Sequence, residues 1–374
     1  QWTKLPLQAR ICPIWLKSCK IRLPNSSCEV FTVRKIFLVL CLSFCALLTG
    51  CTEDTDQKSS VQLLFPNPNS GIWKYVGELC AQLMREANYE VELRYCSDSA
   101  EQVEQLKDAI EKNPAAIVIG AQDTGSLSEP LALAKEKGIP VIAYDRLIMH
   151  TDAISYYASF DNNSVGEFQA RYVEEKLNLK SGAGPFTIEF IAGSADDTNA
   201  PLFFNGAYNY LKPYIDKGQL IVPSGQTDFR TVATEGWKPE NAQRRMTEIL
   251  QTHYADGKSL NVVIASNDDL AGALIRAEES VGYKGSPTIL TGQDAGANGV
   301  ANIKAGKQAM TIYKDPAVLC AKIVRMVKAV VEGSQPAIND VTDIRNDVMV
   351  VPSYLCIPMI VDISNINIVK DFTR

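Results

Sequence analysis

The chain has 374 residues, with 37 Lys/Arg, 43 Asp/Glu and two histidines, for a formal net charge of −6. Residues 1–50 hold seven basic and one acidic side chain, which leaves 30 basic against 42 acidic and a net of −12 for the rest. That balance argues against nucleic-acid partners, whose phosphates demand clustered bases. Two histidines leave almost no material for histidine metal sites or Ser-His-Asp triads.

Residues 1–32 show neither helical nor strand periodicity, and translation is expected to begin near Val33. Arg34-Lys35 then precede an apolar run, Ile36–Leu48, that ends in Leu48-Thr49-Gly50-Cys51. A basic start, an apolar core shorter than the ~20 residues of a spanning helix, and small residues before a cysteine make a lipoprotein signal. Cleavage before Cys51 leaves that thiol to carry lipid (palmitate among its acyl chains) and tethers the chain outside the cytoplasmic membrane. An ordinary cleaved signal or a buried helix is the competing reading. Residues 1–50 are therefore set apart as upstream extension and signal peptide. Residues 51–60, short and charged, read as a tether.

From Val61 the pattern alternates. Apolar β-type runs occur at Val61–Phe65, Val91–Tyr95, Ala116–Ile119, Val141–Tyr144, Tyr156–Ser159, Phe186–Ile191, Leu220–Val222, Val262–Ala265, Thr288–Leu290 and Ala309–Tyr313. Segments with apolar spacing of three and four lie between them, among others Gly71–Ala87, Ala100–Lys112, Leu127–Lys137, Val165–Leu177, Glu240–His253 and Ala317–Glu332. Such alternation predicts an α/β protein of parallel sheets covered on both faces, and about ten strands are too many for one doubly wound sheet. Beyond Cys51 the cysteines are Cys80, Cys96, Cys320 and Cys356, with no CxxC or metal spacing. Cys80 and Cys96 are the nearest pair for a disulfide, and four small buried residues are the commoner reading.

Ligands of open α/β sheets bind beyond the carboxyl ends of strands. There the sequence places Pro66–Trp73, Gln122–Asp123, Asp145-Arg146, Asp161-Asn162, Asp196–Asn199, Asn267–Asp269, Gln293-Asp294 and Lys314-Asp315, with Trp237 nearby. This lining is rich in planar hydrogen-bonding groups and indoles, and poor in nucleophiles and phosphate-cradling glycines. It suits a sugar. Carboxylates accept hydroxyl protons, Arg, Lys and Asn donate back, and an indole covers the C–H face.

Ile139–Ile148 (IPVIAYDRLI) and Tyr156–Asn162 (YYASFDN) carry a family resemblance. Gly184–Ala200, Leu211–Gln226, Thr291–Ala295 (TGQDA), Thr311–Asp315 (TIYKD) and Val350–Leu355 (VVPSYL) add to it in order and spacing. Over roughly 61–374 the chain resembles a type I periplasmic sugar-binding protein of the xylose-binding and multiple-sugar-binding branch. The resemblance implies two doubly wound parallel-sheet lobes joined by a three-strand hinge, with one monosaccharide between. Lobe one would comprise 61–160 plus 314–347, and lobe two 161–313 plus 348–374. It also implies an extracytoplasmic receptor, not an enzyme, with no cofactor or metal. Its ligand would be an aldose of the xylose, glucose, galactose or arabinose class, and its partner an ABC permease or a membrane sensor kinase or chemoreceptor.

The implied ligand-binding residues are Trp73, Asp145, Arg146, Asn199, Trp237, Asp268, Asp294 and Lys314. Asp145 and Arg146 match the acid–base pair that grips ring hydroxyls, where a surface ion pair is the bland alternative. Asn199 matches a ligand amide, although it could cap a helix. Asp268 matches a ligand carboxylate, with Asp269 as its neighbouring alternative. Two departures stand out. Ile72 occupies a position where relatives often carry Arg, and Gly236-Trp237-Lys238-Pro239 differs from an Arg-Trp-Asp-Pro pattern. A lost donor favours a smaller sugar such as a pentose. A two-carboxylate glycosidase and a repressor lacking its basic helix-turn-helix are the readings set aside.

Overall fold

The computed structural model describes residues 58–69, 72–285 and 288–370. The signal segment, Cys51, most of the tether, Gly71 and residues 371–374 lie outside the described residues. The first half alternates as far as its last two strands: β1 (Ser60–Phe65), α1 (Trp73–Glu86), β2 (Glu90–Tyr95), α2 (Ser99–Glu111), β3 (Ala116–Ile119), α3 (Ser128–Glu136), β4 (Val141–Tyr144) and β5 (Tyr156–Phe160). The second half follows with α4 (Asn162–Lys176), β6 (Phe186–Ile191), α5 (Ala200–Asp216), β7 (Leu220–Ile221), α6 (Phe229–Val232), α7 (Pro239–His253), β8 (Val262–Ala265), α8 (Asp268–Val281), β9 (Ile289–Leu290), α9 (Ala297–Lys304) and β10 (Met310–Tyr313). The chain closes with α10 (Pro316–Val331), β11 (Ser353–Cys356) and β12 (Met359–Asp362).

The first sheet has strand order β11-β5-β4-β3-β1-β2, parallel throughout. Strand periodicity divides its side chains between two cores. Val61, Leu63 and Phe65 meet Val76 and Met84 of α1 and Leu319 and Ile323 of α10 on one face. Leu64, Ile117 and Ile119 meet Leu106, Ile110 and Leu131 of α2 and α3 on the other. The second sheet, β7-β6-β8-β9, is likewise parallel and covered on both faces. An antiparallel pair, β10-β12, lies beside it through a bridge from Gln293 to Ile312.

Strand pairing moves one expected boundary. Ser353–Cys356 lies in register with Tyr157–Phe160 of the first sheet, so that sheet keeps the chain well past residue 347. The passage into the β10-β12 pair comes after Cys356, not near Val348. Short helix caps account for several of the strand-end polar residues. Asp161 accepts from Ser164 N at 3.0 Å, Asn267 from Leu270 N at 2.9 Å, and Asp315 from Ala317 N at 3.0 Å. Each satisfies an N–H that the first helical turn leaves without a partner.

Candidate functional site

β4 ends in a strained turn. The Arg146 N–H donates to Tyr144 O at 2.7 Å, closing a three-residue turn centred on Asp145, whose φ is +61°. This left-handed γ-type geometry is rare for a residue with a side chain and persists only where its surroundings over-determine it. Here they do. The Asp145 N–H donates to Ala158 O at 2.8 Å, and its carbonyl accepts Tyr157 Oη at 2.7 Å and Ser159 Oγ at 3.2 Å. The Arg146 Nη1 donates to the carbonyls of Ala121 (3.2 Å) and Gln122 (3.1 Å), and its guanidinium lies 5.6 Å from the Trp73 ring centroid.

Trp73, the first residue of α1, is half-buried. Its indole packs on Phe65 and edge-on to Tyr144, both at 6.1 Å between centroids. Gly120 leaves room for it, because a Cβ there would lie 3.0 Å from the indole Cζ3.

Asn199 connects this group to the second half of the chain. It stands at the start of α5 but makes no side-chain cap bond. It is 5% exposed; its Nδ2 donates to Asp145 O at 3.3 Å, and its Oδ1 accepts Asn162 Nδ2 at 2.8 Å. Its amide is thus spent on a contact between the two halves, not on capping.

Trp237 sits at φ +57° just after Gly236, itself at +62°, and its indole lies flush on Gly193, where a Cβ would come within 2.1 Å of the ring. Phe203 meets that indole edge-on at 6.5 Å. Lys314, immediately after β10, puts its Nζ 5.4 Å from the Phe203 centroid and 3.2 Å from Asp294 Oδ1. The Lys314 side chain is 17% exposed and that of Asp294 39%. Asp294 and Ala295 are both left-handed, at φ 91° and 50°, with the Asp294 N–H held by Ile312 O at 2.8 Å.

The electrostatics tie these groups into one cluster. Burial raises the pKa of Asp145, with Asp197 and Asp294 adding to the effect and Lys314 and Arg146 opposing it. Burial works against the charge of Lys314, but Asp294, Asp145 and Asp197 outweigh it and its pKa rises. The ammonium therefore stays charged among three carboxylates. Asp268 lies one layer deeper, 4% exposed at the start of α8. Its Oδ1 accepts Gln308 Nε2 at 2.7 Å and its Oδ2 the Gly296 N–H at 2.9 Å. Burial pushes its pKa up to about 7, against the lowering by the Gln308 bond and with a further rise from Asp294. Its oxygens are occupied by donors that shape the loop carrying Asp294, while Asp269 is exposed.

The structure thus gathers Trp73, Asp145, Arg146, Asn199, Trp237, Asp294 and Lys314 through direct contacts or shared fields, with Asp268 behind Asp294. Sequence reasoning passed over Phe203, Asn162, Ser159 and Asp197. Asn162 and Asp197 stood among the strand-end residues and could have been singled out. Phe203, at helical spacing, reads as core and is buried. Among the described residues no cluster of three or more His, Cys, Asp or Glu side chains could hold a metal ion.

Two parallel α/β sheets that pool acceptors, donors and two indoles from both halves define a solute-binding receptor. The chain belongs to the periplasmic binding protein family, whose periplasmic binding protein domain matches residues 61–335. Within it the chain is a type I protein of the multiple-sugar-binding and xylose-binding branch. It is 40% identical over 312 residues to the multiple sugar-binding periplasmic receptor ChvE of Rhizobium radiobacter, covering 82% of this chain and 88% of that one. It is 31% identical to the D-xylose-binding periplasmic protein of Escherichia coli, over 91% and 97% of the two chains. A crystal structure of an ABC transporter solute-binding protein from Clostridium phytofermentans with bound β-D-glucose superposes with a TM-score of 0.76. It shares 43% identity over 82% of this chain and 94% of that chain.

Proposed function

We propose that this receptor captures a neutral monosaccharide outside the cytoplasmic membrane, held there by lipid on Cys51, and presents it to an ABC permease. The observation that supports this most is the convergence of Asp145, Arg146 and Trp73 from the first half with Asn199, Trp237, Asp294 and Lys314 from the second. In this reading Asp145 and Asp294 accept hydroxyl protons, Arg146, Asn199 and Lys314 donate to sugar oxygens, and the indoles of Trp73 and Trp237 flank the C–H faces. Asp268 supports the Asp294 loop from beneath. The relatives named above bind several sugars, D-xylose or β-D-glucose, which supports pentoses and hexoses of the aldose class as the first ligands to test.

Binding and closure are one event here. The open state leaves the charged groups in water, and the closed state satisfies them only with a polyhydroxyl guest between the halves, so ligand shifts the equilibrium by its differential affinity. Calorimetry with xylose, arabinose, glucose, galactose and ribose tests the reading. At least one should bind at one site per chain, and no heat from any of them would overturn it. Labelling with radioactive palmitate, lost in a Cys51→Ser variant, tests the anchor.

A further inference from the structure

We propose that Cys80 of α1 and Cys320 of α10 form a disulfide in the exported protein, a cross-link between two stretches of chain that share one core. Their Sγ atoms stand 2.6 Å apart. Two non-bonded sulfurs do not approach that closely, and the bonded separation is about 2.05 Å. The helices that carry them already pack on each other, and both side chains are fully buried. Closing the bond requires the two sulfurs to approach by about 0.5 Å more. The compartment agrees, since periplasmic binding proteins work where disulfides persist. The other two thiols lie elsewhere: Cys96 faces Phe65 O at 3.5 Å at the end of β2, and Cys356 ends β11. The nearest pair in sequence, Cys80 and Cys96, is therefore not the pair in space.

The oxidant is an incoming disulfide, either a small-molecule disulfide or that of a thiol oxidase. The Cys80 thiolate attacks it and releases one thiol. Cys320 then displaces the second, so two S–H bonds are lost, one S–S bond forms, and the oxidant departs as two thiols. Burial raises the pKa of the Cys80 thiol well above its ordinary value, so exchange belongs to the stage before these helices pack. The finished bond is afterwards shielded from reductants. Its placement bears on the site. Cys320 Sγ lies 3.9 Å from Tyr144 Oη, and the Tyr144 ring packs against Trp73. The cross-link spans 240 residues of sequence and would restrain the unfolded chain over that length.

Exported full-length protein, denatured in an alkylating agent and digested without reductant, provides the test. The expected product is a Cys80–Cys320 linked peptide pair lacking two hydrogens, with Cys96 and Cys356 alkylated. Alkylation of both Cys80 and Cys320 would overturn the proposal. In a Cys320→Ser variant Cys80 should become alkylatable, and a Cys80 still blocked there would refute the pairing. Wild type reduced while denatured and refolded in reductant should have a lower Tm than the oxidised protein, and the same treatment should leave the Tm of a Cys80→Ser/Cys320→Ser double variant unchanged. Equal shifts in both would count against the bond.

Discussion

Gly193 offers the most direct perturbation of the proposed sugar site, because it touches the site through one indole. Gly193 does not occupy the left-handed region, so its backbone accepts alanine without strain. The added Cβ would lie 2.1 Å from Cη2 and Cζ2 of Trp237. Carbon atoms prefer about 3.5–4.0 Å, so the ring must retreat by roughly 1.5 Å. It has little freedom to do so in place, since Trp237 and Gly236 both hold left-handed backbone and Phe203 stands at its edge. The indole must leave the position it holds in the proposed site. Losing its contact with the sugar should cost about 1–3 kcal/mol, a rise in Kd of roughly 5- to 150-fold. Calorimetry with glucose and xylose reads this directly. In a Trp237→Ala background, which itself should lose a similar amount, Gly193→Ala has no ring to strike and becomes nearly neutral, so the two substitutions are strongly non-additive. A Gly193→Ala protein that binds like wild type, or equal losses in both backgrounds, would refute the reasoning.

Asp145→Ala removes an acceptor that faces Lys314 and Arg146 and should weaken binding by about 2–3 kcal/mol; a loss under twofold in calorimetry speaks against a direct role. Asn199→Ala deletes the amide that bonds the Asp145 carbonyl. The closed form should lose about 0.5–1.5 kcal/mol, read as a larger radius of gyration by X-ray scattering at a glucose concentration that half-saturates the wild type, and an unchanged radius excludes the bond as a latch. Asp268 carries a raised pKa of about 7. Its contribution to stability is complete below the ordinary carboxylate range and is lost as pH rises through about 7, on the order of 4 kcal/mol. Denaturant unfolding of wild type should show that decline, Asp268→Asn should flatten it, and an identical slope in both would exclude Asp268 as its source. Glucuronate should bind at least tenfold more weakly than glucose, because it adds a charge to a cluster already richer in carboxylates than in cations; comparable Kd values would argue against that charge balance.

Ten of the twelve strands among the described residues were legible as short apolar runs bounded by turn residues, and observed ends at Phe65, Tyr95, Ile119, Tyr144 and Ala265 coincide with the ends of those runs, whereas β11 and β12 were not singled out. Helices α5, α6, α8 and α9 were not among the segments named, although Asp269 stood as a possible cap of the helix that follows it: α5 carries an internal Pro213, and α6 and α9 are short. What sequence cannot show is pairing between distant segments. The register of β11 on β5 joins stretches far apart in the chain, and a run such as Ser353–Cys356 has no local mark of which sheet it enters. The same applies to Cys320 against Cys80. The strand-end rule found the right neighbourhood but could not sort its members. Asp161 and Asp315 have the same chemistry as Asp145 and Asp294, and Asn267 offers a like acceptor oxygen, yet all three serve as caps, and backbone geometry separates the two uses. Asp145 and Asp294 sit at left-handed positions, whereas the three caps are extended.

That geometry bears on why closure needs a guest. Asp145 and Arg146 come from the first half of the chain, while Asp197, Asp294 and Lys314 follow the first passage between sheets. Bringing the halves together sets Asp145 into the fields of two further carboxylates and one ammonium. At an effective dielectric of 20, unit charges 4 Å apart interact by about 4 kcal/mol, so repulsions and attractions of this size largely cancel. Desolvation is not cancelled, because each carboxylate gives up hydrogen bonds from water on closing. A polyol restores them through O–H donors and adds no charge, whereas an empty cleft restores none. In the proposed reading the clustered acids therefore make the closed state dependent on a neutral, donor-rich ligand, and the two indoles would then discriminate among such ligands by the C–H faces they present.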